Sequence, residues 1–358
     1  MMKSSTLYNI LITCFCLSSC VKDIPNPDTK NPINIQHHGV LILNEGAYGN
    51  NNSELSYIDL ENEQISQQVF YTANEKSLGD VAQSIYYHQG KFYIALNNSN
   101  RISVIDALNF KEISQIKNIP TPRYMCIVYD SLLYVSSIYQ TFLTVVNTNN
   151  LNIKRIQLDY PNSEQLLFAN NALWVCNWDI HCNYMYKINP FTNLIEEKIN
   201  IAGYAPHSIV QDKQDRLWIL SGNKYKNAPS FLTCLDPIEF KILKSFSFPT
   251  GAEPIKMTIN QTRDSLYYIG VNYDGNNTFN GLYNMSIDAA QLPTLPLIQA
   301  PNNSYFWAFG IDSSTHHIFM ADPKGFTQRS TVSEYARQGE KLREFQAGIG
   351  ANQFYFYP

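Results

Sequence analysis

Charge is scarce in this chain. Only 16% of its 358 residues are Asp, Glu, Lys or Arg, against about a quarter in an average globular domain. Neither sign dominates: 26 basic and 30 acidic residues leave a net charge of −4. That balance excludes the clustered positive charge by which a nucleic-acid-binding domain is recognised. With 44% hydrophobic residues, the chain also cannot be a disordered one, which needs low hydrophobicity and high net charge. Helical periodicity with caps is missing, as is the Ala-, Glu-, Lys- and Leu-rich composition of a long coiled coil. The apolar run Leu7 to Leu17 (LYNILITCFCL) falls short of the roughly 20 residues that cross a bilayer, and no other segment could cross one. No nucleophile elbow is present. Gly49 to Asn52 and Gly275-Asn276-Asn277 read as loop formers, since no helix N-terminus follows to make a phosphate cradle.

What is present is aromatic: 24 Tyr, 19 Phe and 4 Trp. The N-terminus gives the expected compartment. Lys3 precedes the short apolar run, which has the length of a signal-peptide core. It ends in Leu17-Ser18-Ser19-Cys20, which resembles the lipobox of bacterial lipoproteins. That resemblance implies a signal peptide over residues 1–19 and a lipidated Cys20, whose acyl chains are the sole membrane anchor. Residues 20–38, with Pro25, Pro27 and Pro32, read as an extended tether.

Repetition predicts the fold. An apolar strand recurs as Val40-Leu41-Ile42-Leu43, Phe92-Tyr93-Ile94-Ala95, Leu133-Tyr134-Val135-Ser136 and Leu173-Trp174-Val175-Cys176. It returns as Leu217-Trp218-Ile219-Leu220, Leu266-Tyr267-Tyr268-Ile269 and Ile318-Phe319-Met320-Ala321. Seven starts spaced 40 to 52 residues apart have the period of a four-stranded propeller blade. Behind them come Ile58-Asp59, Ile105-Asp106, Val146-Asn147, Ile188-Asn189, Leu235-Asp236 and Ile287-Asp288. Because they repeat at one register, these Asp and Asn residues read as Asx-turn formers at hairpins and not as catalytic acids. The chain ends in one extra strand, Gln353 to Tyr357, while the first unit lacks its innermost strand. The expectation is an all-β, seven-bladed propeller over residues 39–358, in which the C-terminal strand closes the first blade and leaves no open edge.

Units such as Phe92-Tyr93-Ile94 followed by Ile102-Ser103-Val104-Ile105-Asp106 resemble YVTN-type propeller repeats. No blade carries the Gly-His and Trp-Asp pair of WD repeats. The opening Gly39-Val40-Leu41-Ile42-Leu43-Asn44-Glu45-Gly46, with Gly49-Asn50-Asn51-Asn52 and Leu55-Ser56-Tyr57, is similar to the start of a Bacteroidetes family of propeller lipoproteins. That family includes surface proteins that capture cobalamin for a TonB-dependent outer-membrane transporter. The resemblance implies an outer-membrane lipoprotein facing the cell surface, a small-molecule nutrient such as cobalamin as ligand, and such a transporter as partner.

In a propeller the B–C and D–A connections share one face, and that face is the expected ligand platform. Its candidate residues are Asp80, Arg123, Tyr124, Trp178, His181, His207, Tyr225, Tyr273, Trp307 and Phe326. Aromatic faces suit a flat ligand, and the amide, imidazole and guanidinium groups suit its polar rim. Trp178, Tyr225 and Tyr273 are the ones expected to be exposed. No cofactor and no metal are read from the sequence, since the Cys176, His181 and Cys182 grouping lacks a fourth ligand. The spacing of Cys176 and Cys182 would allow a small disulfide across a loop in an oxidising compartment. Cys126 and Cys234 lie in apolar runs and read as buried thiols. Two other readings stand beside binding: a lactonase- or lyase-like enzyme holding an axial metal on Asp80, Glu164 and Glu253, and an envelope scaffold.

Overall fold

The computed structural model describes residues 35, 38–273 and 277–357. The expected signal peptide, Cys20, most of the tether, and Gly275 and Asn276 lie outside the described residues. The chain forms seven four-stranded antiparallel sheets, arranged as blades around one axis. Within each blade the strands are lettered A to D from the axis outward. All seven apolar runs predicted from the repeat lie in B strands, for example Lys91–Leu96, Ala172–Asn177 and Ile318–Asp322. These strands are apolar on both sides because each blade is covered on both faces by its neighbours.

The core lies between the blades. Seven buried clusters occupy the seven interfaces. Trp174 packs in the interface of blades 4 and 5, and Trp218 in that of blades 5 and 6. Both indoles are fully buried, and each donates its N–H: Trp174 to Ala169 O at 3.1 Å, Trp218 to Asp212 Oδ2 at 2.8 Å. A buried indole left without an acceptor would cost free energy, so these bonds are part of the packing. Cys126, Cys176, Cys182 and Cys234 are all buried free thiols. Cys176 and Cys182 are therefore not bridged; the Cys182 thiol donates to Tyr184 O at 3.3 Å, and burial pushes it up to about 12.

The repeated Asp and Asn residues close the C–D hairpins. Asp59, Asp106, Asn147, Asn189 and Asp236 each accept from backbone N–H groups two and three residues on, at 2.8–3.3 Å. Asp288 differs. Its strand ends at Ser286, whose Oγ accepts the Asp288 N–H at 3.1 Å, so a serine makes that turn and a longer connection follows.

Ring closure is as expected. The last strand, Ala351–Tyr357, is the A strand of blade 1 and pairs with Gly39–Asn44. At its end Tyr357 donates its hydroxyl to Ala107 O of blade 2 at 2.6 Å. Strand directions put the A–B and C–D turns on one face, called lower here. The B–C and D–A connections lie on the upper face.

Candidate functional site

The inner strands are not regular. In six of the seven blades the A strand skips a register step against its B strand near the upper end. The skipped positions hold Gln83, Arg123 with Tyr124, Glu164 with Gln165, His207, Lys256 with Met257, and Asn352. A bulge breaks the in–out alternation of a strand and re-aims a side chain. Here it places one polar group per blade at one level of the axis. In blade 7 the A strand keeps its register against the B strand; Trp307, just before that A strand, Ala308–Ile311, takes the same position.

Gln83, Arg123, Glu164, Lys256 and Asn352 bond to one another. Arg123 Nε donates to Glu164 Oε1 at 2.8 Å, and its Nη1 donates to Gln83 Oε1. Asn352 Nδ2 donates to Gln83 O at 2.6 Å. The Lys256 amine donates to Asn352 Oδ1. Trp307 Nε1 donates to Glu45 Oε1 at 2.8 Å, and its ring centroid is 5.5 Å from the Lys256 amine. The result is a cross-linked polar floor closing the middle of the channel.

Burial and pairing set the ionisation of these groups. Burial pulls Arg123 down, but Glu164, Tyr124 and Glu45 together outweigh it and hold the guanidinium above its usual range. Burial pushes the Glu45 carboxyl up, against the opposing effect of Lys256 and the Trp307 N–H. Lys256 is lowered to about 8 and His207 to about 4, both by burial. His207 is thus a neutral imidazole, its Nδ1 lying 3.2 Å from Ser208 Oγ.

Above the floor is a cavity of about 310 Å³, and below it one of about 690 Å³. Tyr124 and Lys256 border both. Of the residues expected on the platform, Arg123, Tyr124 and His207 line the base of the upper cavity; Trp178, Tyr225, Tyr273 and Trp307 form its walls. Tyr225 is 74% exposed and Tyr273 43%. Trp178, expected to be exposed, is half-buried, because its indole N–H reaches across to Gly222 O at 3.0 Å. The Lys224 amine sits 5.2 Å from the Tyr225 ring centroid and 4.9 Å from that of Tyr273.

Three expected residues lie elsewhere. Asp80 accepts the Gly49 N–H at 3.2 and 3.0 Å and the Asn98 amide at 2.5 Å. It pins a loop in which Gly49, at φ 80°, takes a conformation that favours glycine. His181 is exposed, in the turn made by Asp179, which accepts its N–H at 2.9 Å. Phe326 packs edge-on against the Trp307 ring, centroids 5.2 Å apart, and buttresses the wall from behind.

The carboxylates named for an enzyme do not gather. Glu164 and Glu253 border the upper cavity and Asp80 does not, while Glu164 is occupied by Arg123. Among the described residues, no three His, Cys, Asp or Glu side chains are grouped to hold a metal ion.

A family model, DUF5074, described as a domain of unknown function, matches residues 38–358. The chain belongs to the DUF5074 family. No curated protein sequence matches it. Among solved structures, this DUF5074 propeller is similar to a quinonprotein alcohol dehydrogenase-like protein from Bacteroides thetaiotaomicron VPI-5482. That pair is 15% identical over 90% of this chain and 79% of the other, with a TM-score of 0.68. Hydrazine synthase of Kuenenia stuttgartiensis is 11% identical over 73% of this chain and 84% of that one, TM-score 0.62. Virginiamycin B lyase from Staphylococcus aureus is 14% identical over 74% and 83%, TM-score 0.56. Likeness at these identities establishes the propeller architecture, and function must be argued from the site.

Proposed function

We propose that this DUF5074 propeller is a non-enzymatic ligand-binding protein of the cell envelope. It is anchored through Cys20 and captures a nutrient on its upper face for a TonB-dependent outer-membrane transporter. The observation that carries this reading is the upper cavity: aromatic walls from Trp178, Tyr225, Tyr273 and Trp307 stand over a floor of mutually bonded polar groups. Arg123 and Glu164 are committed to each other, which favours holding a ligand over transferring protons to it. The walls offer ring faces to a flat ligand, and the polar rim suits amide or hydroxyl substituents. A rigid ring limits the ordering cost of binding.

Cobalamin or a related corrinoid is the named candidate, by the resemblance of residues 39–57. At about 310 Å³, at the low end of small-molecule sites, the cavity would take one edge of so large a ligand, the rest lying on the surrounding loops. The test is a calorimetric titration of the full chain, purified in detergent, with cyanocobalamin. Binding at micromolar concentration or tighter supports the corrinoid reading. No heat and no shift in melting temperature at that concentration would remove it.

A further inference from the structure

Lys256 stands apart from the other charged groups of the floor. Arg123 is matched by a carboxylate at 2.8 Å. Among the described residues the Lys256 amine donates to Asn352, at Oδ1 and, at 3.5 Å, at the backbone carbonyl. Glu45 and Glu164 act on it at longer range. Its backbone is left-handed as well, as it is at Val81, Thr121, Asn162 and Ala205 beside the other inner-strand bulges. Lys256 sits at φ 53°, a region that residues with a Cβ avoid. It also lies inside the bulge between the pairs Ile255↔Ile269 and Thr258↔Tyr267. Bulge and backbone together turn the amine into the axial channel, where it borders both cavities beside the Trp307 ring.

We infer that Lys256 is a nucleophilic amine that captures a carbonyl compound, an aldehyde or ketone entering the upper cavity, as an imine. The neutral amine attacks the carbonyl carbon and a C–N bond forms. One proton moves from nitrogen to the former carbonyl oxygen, giving a carbinolamine. A second proton joins that oxygen, the C–O bond breaks, and water leaves as the nitrogen loses its remaining proton to form C=N. No oxidant or reductant is consumed. Burial supplies the neutral amine, since it brings Lys256 to about 8, the usual origin of imine-forming lysines. Aromatic walls select a flat, conjugated carbonyl compound over an aliphatic one. This inference goes beyond the proposed function: it needs the upper cavity to be open, not a nutrient to be bound in it.

The test is reductive trapping. The full chain in detergent is incubated with 4-carboxybenzaldehyde and sodium cyanoborohydride between pH 6 and 9, and the adducts are mapped by peptide mass spectrometry. The expected result is that Lys256 is labelled more than about tenfold faster than exposed lysines at pH 7, with a rate that levels off above pH 8. Lys256→Arg removes that adduct and leaves the surface labelling unchanged. If the variant does not fold, mapping of the native chain decides alone. Labelling spread evenly over surface lysines, with Lys256 unmodified or no faster than they are, would overturn the inference. Because no nutrient is present, this result is independent of the cyanocobalamin titration.

Discussion

Arg123 Nε meets Glu164 Oε1 at 2.8 Å and so joins the bulged residues of two neighbouring inner strands. The two side chains are 19% and 3% exposed, which makes this a buried pair. Removing one partner of such a pair leaves an uncompensated charge and costs about 3–5 kcal/mol. Arg123→Ala should therefore destabilise the ring by that amount in denaturant unfolding. The double variant Arg123→Ala/Glu164→Ala should recover part of it, because no lone charge remains. A loss below about 1 kcal/mol for the single variant would mean that the pair behaves as a solvated surface bridge.

His207 gives the ring a dependence on pH. Burial lowers its pKa from 6.5 to about 4, so the unfolded chain binds its proton first as the solution is acidified. Its contribution is complete above pH 6.5 and is lost progressively as pH falls toward 4. The melting temperature of the native chain should drop more between pH 7 and pH 4 than that of His207→Gln. Equal drops would show that His207 is solvated in the folded state.

Closure of the ring rests on the last strand. Tyr357 donates to Ala107 O at 2.6 Å and packs edge-on against Tyr57, ring centroids 5.9 Å apart. Tyr357→Phe keeps the packing and loses the bond, so it should cost about 1 kcal/mol. Deleting residues 351–358 exposes the edge of Gly39–Asn44 and should give aggregated protein. A soluble, cooperatively melting truncation would refute the closure.

Much of this architecture is legible in the sequence, for physical reasons that also mark where legibility stops. B strands are covered on both faces, so all seven show one apolar signature. C–D turns need a side-chain acceptor at one position, so five of them carry Asp or Asn there. The floor does not announce itself in this way. Its seven positions hold Gln83, Arg123, Glu164, His207, Lys256, Trp307 and Asn352, which share a place and no chemistry. Arg123, Glu164 and His207, read as residues of D–A connections, lie inside A strands, as Gln83, Lys256 and Asn352 do, and a bulge turns all six to the axis. Asp80, His181 and Phe326 sit on the expected connections, but local bonds turn them away from the cavity. Connection and face can be read from the repeat, whereas the direction of a loop side chain depends on its partners.

The most direct measurement of the central claim is the cyanocobalamin titration carried across three variants. Tyr225→Ala removes an exposed wall of the upper cavity. Trp178→Phe alters the neighbouring wall and loses the bond to Gly222. Phe191→Ala removes a side chain that is 76% exposed on the lower face. The native chain should bind at micromolar concentration or tighter, the first two variants at least about tenfold more weakly, equivalent to 1.4 kcal/mol, and the third without change. Absence of binding by the native chain, or a loss in Phe191→Ala as large as that in Tyr225→Ala, would contradict that claim.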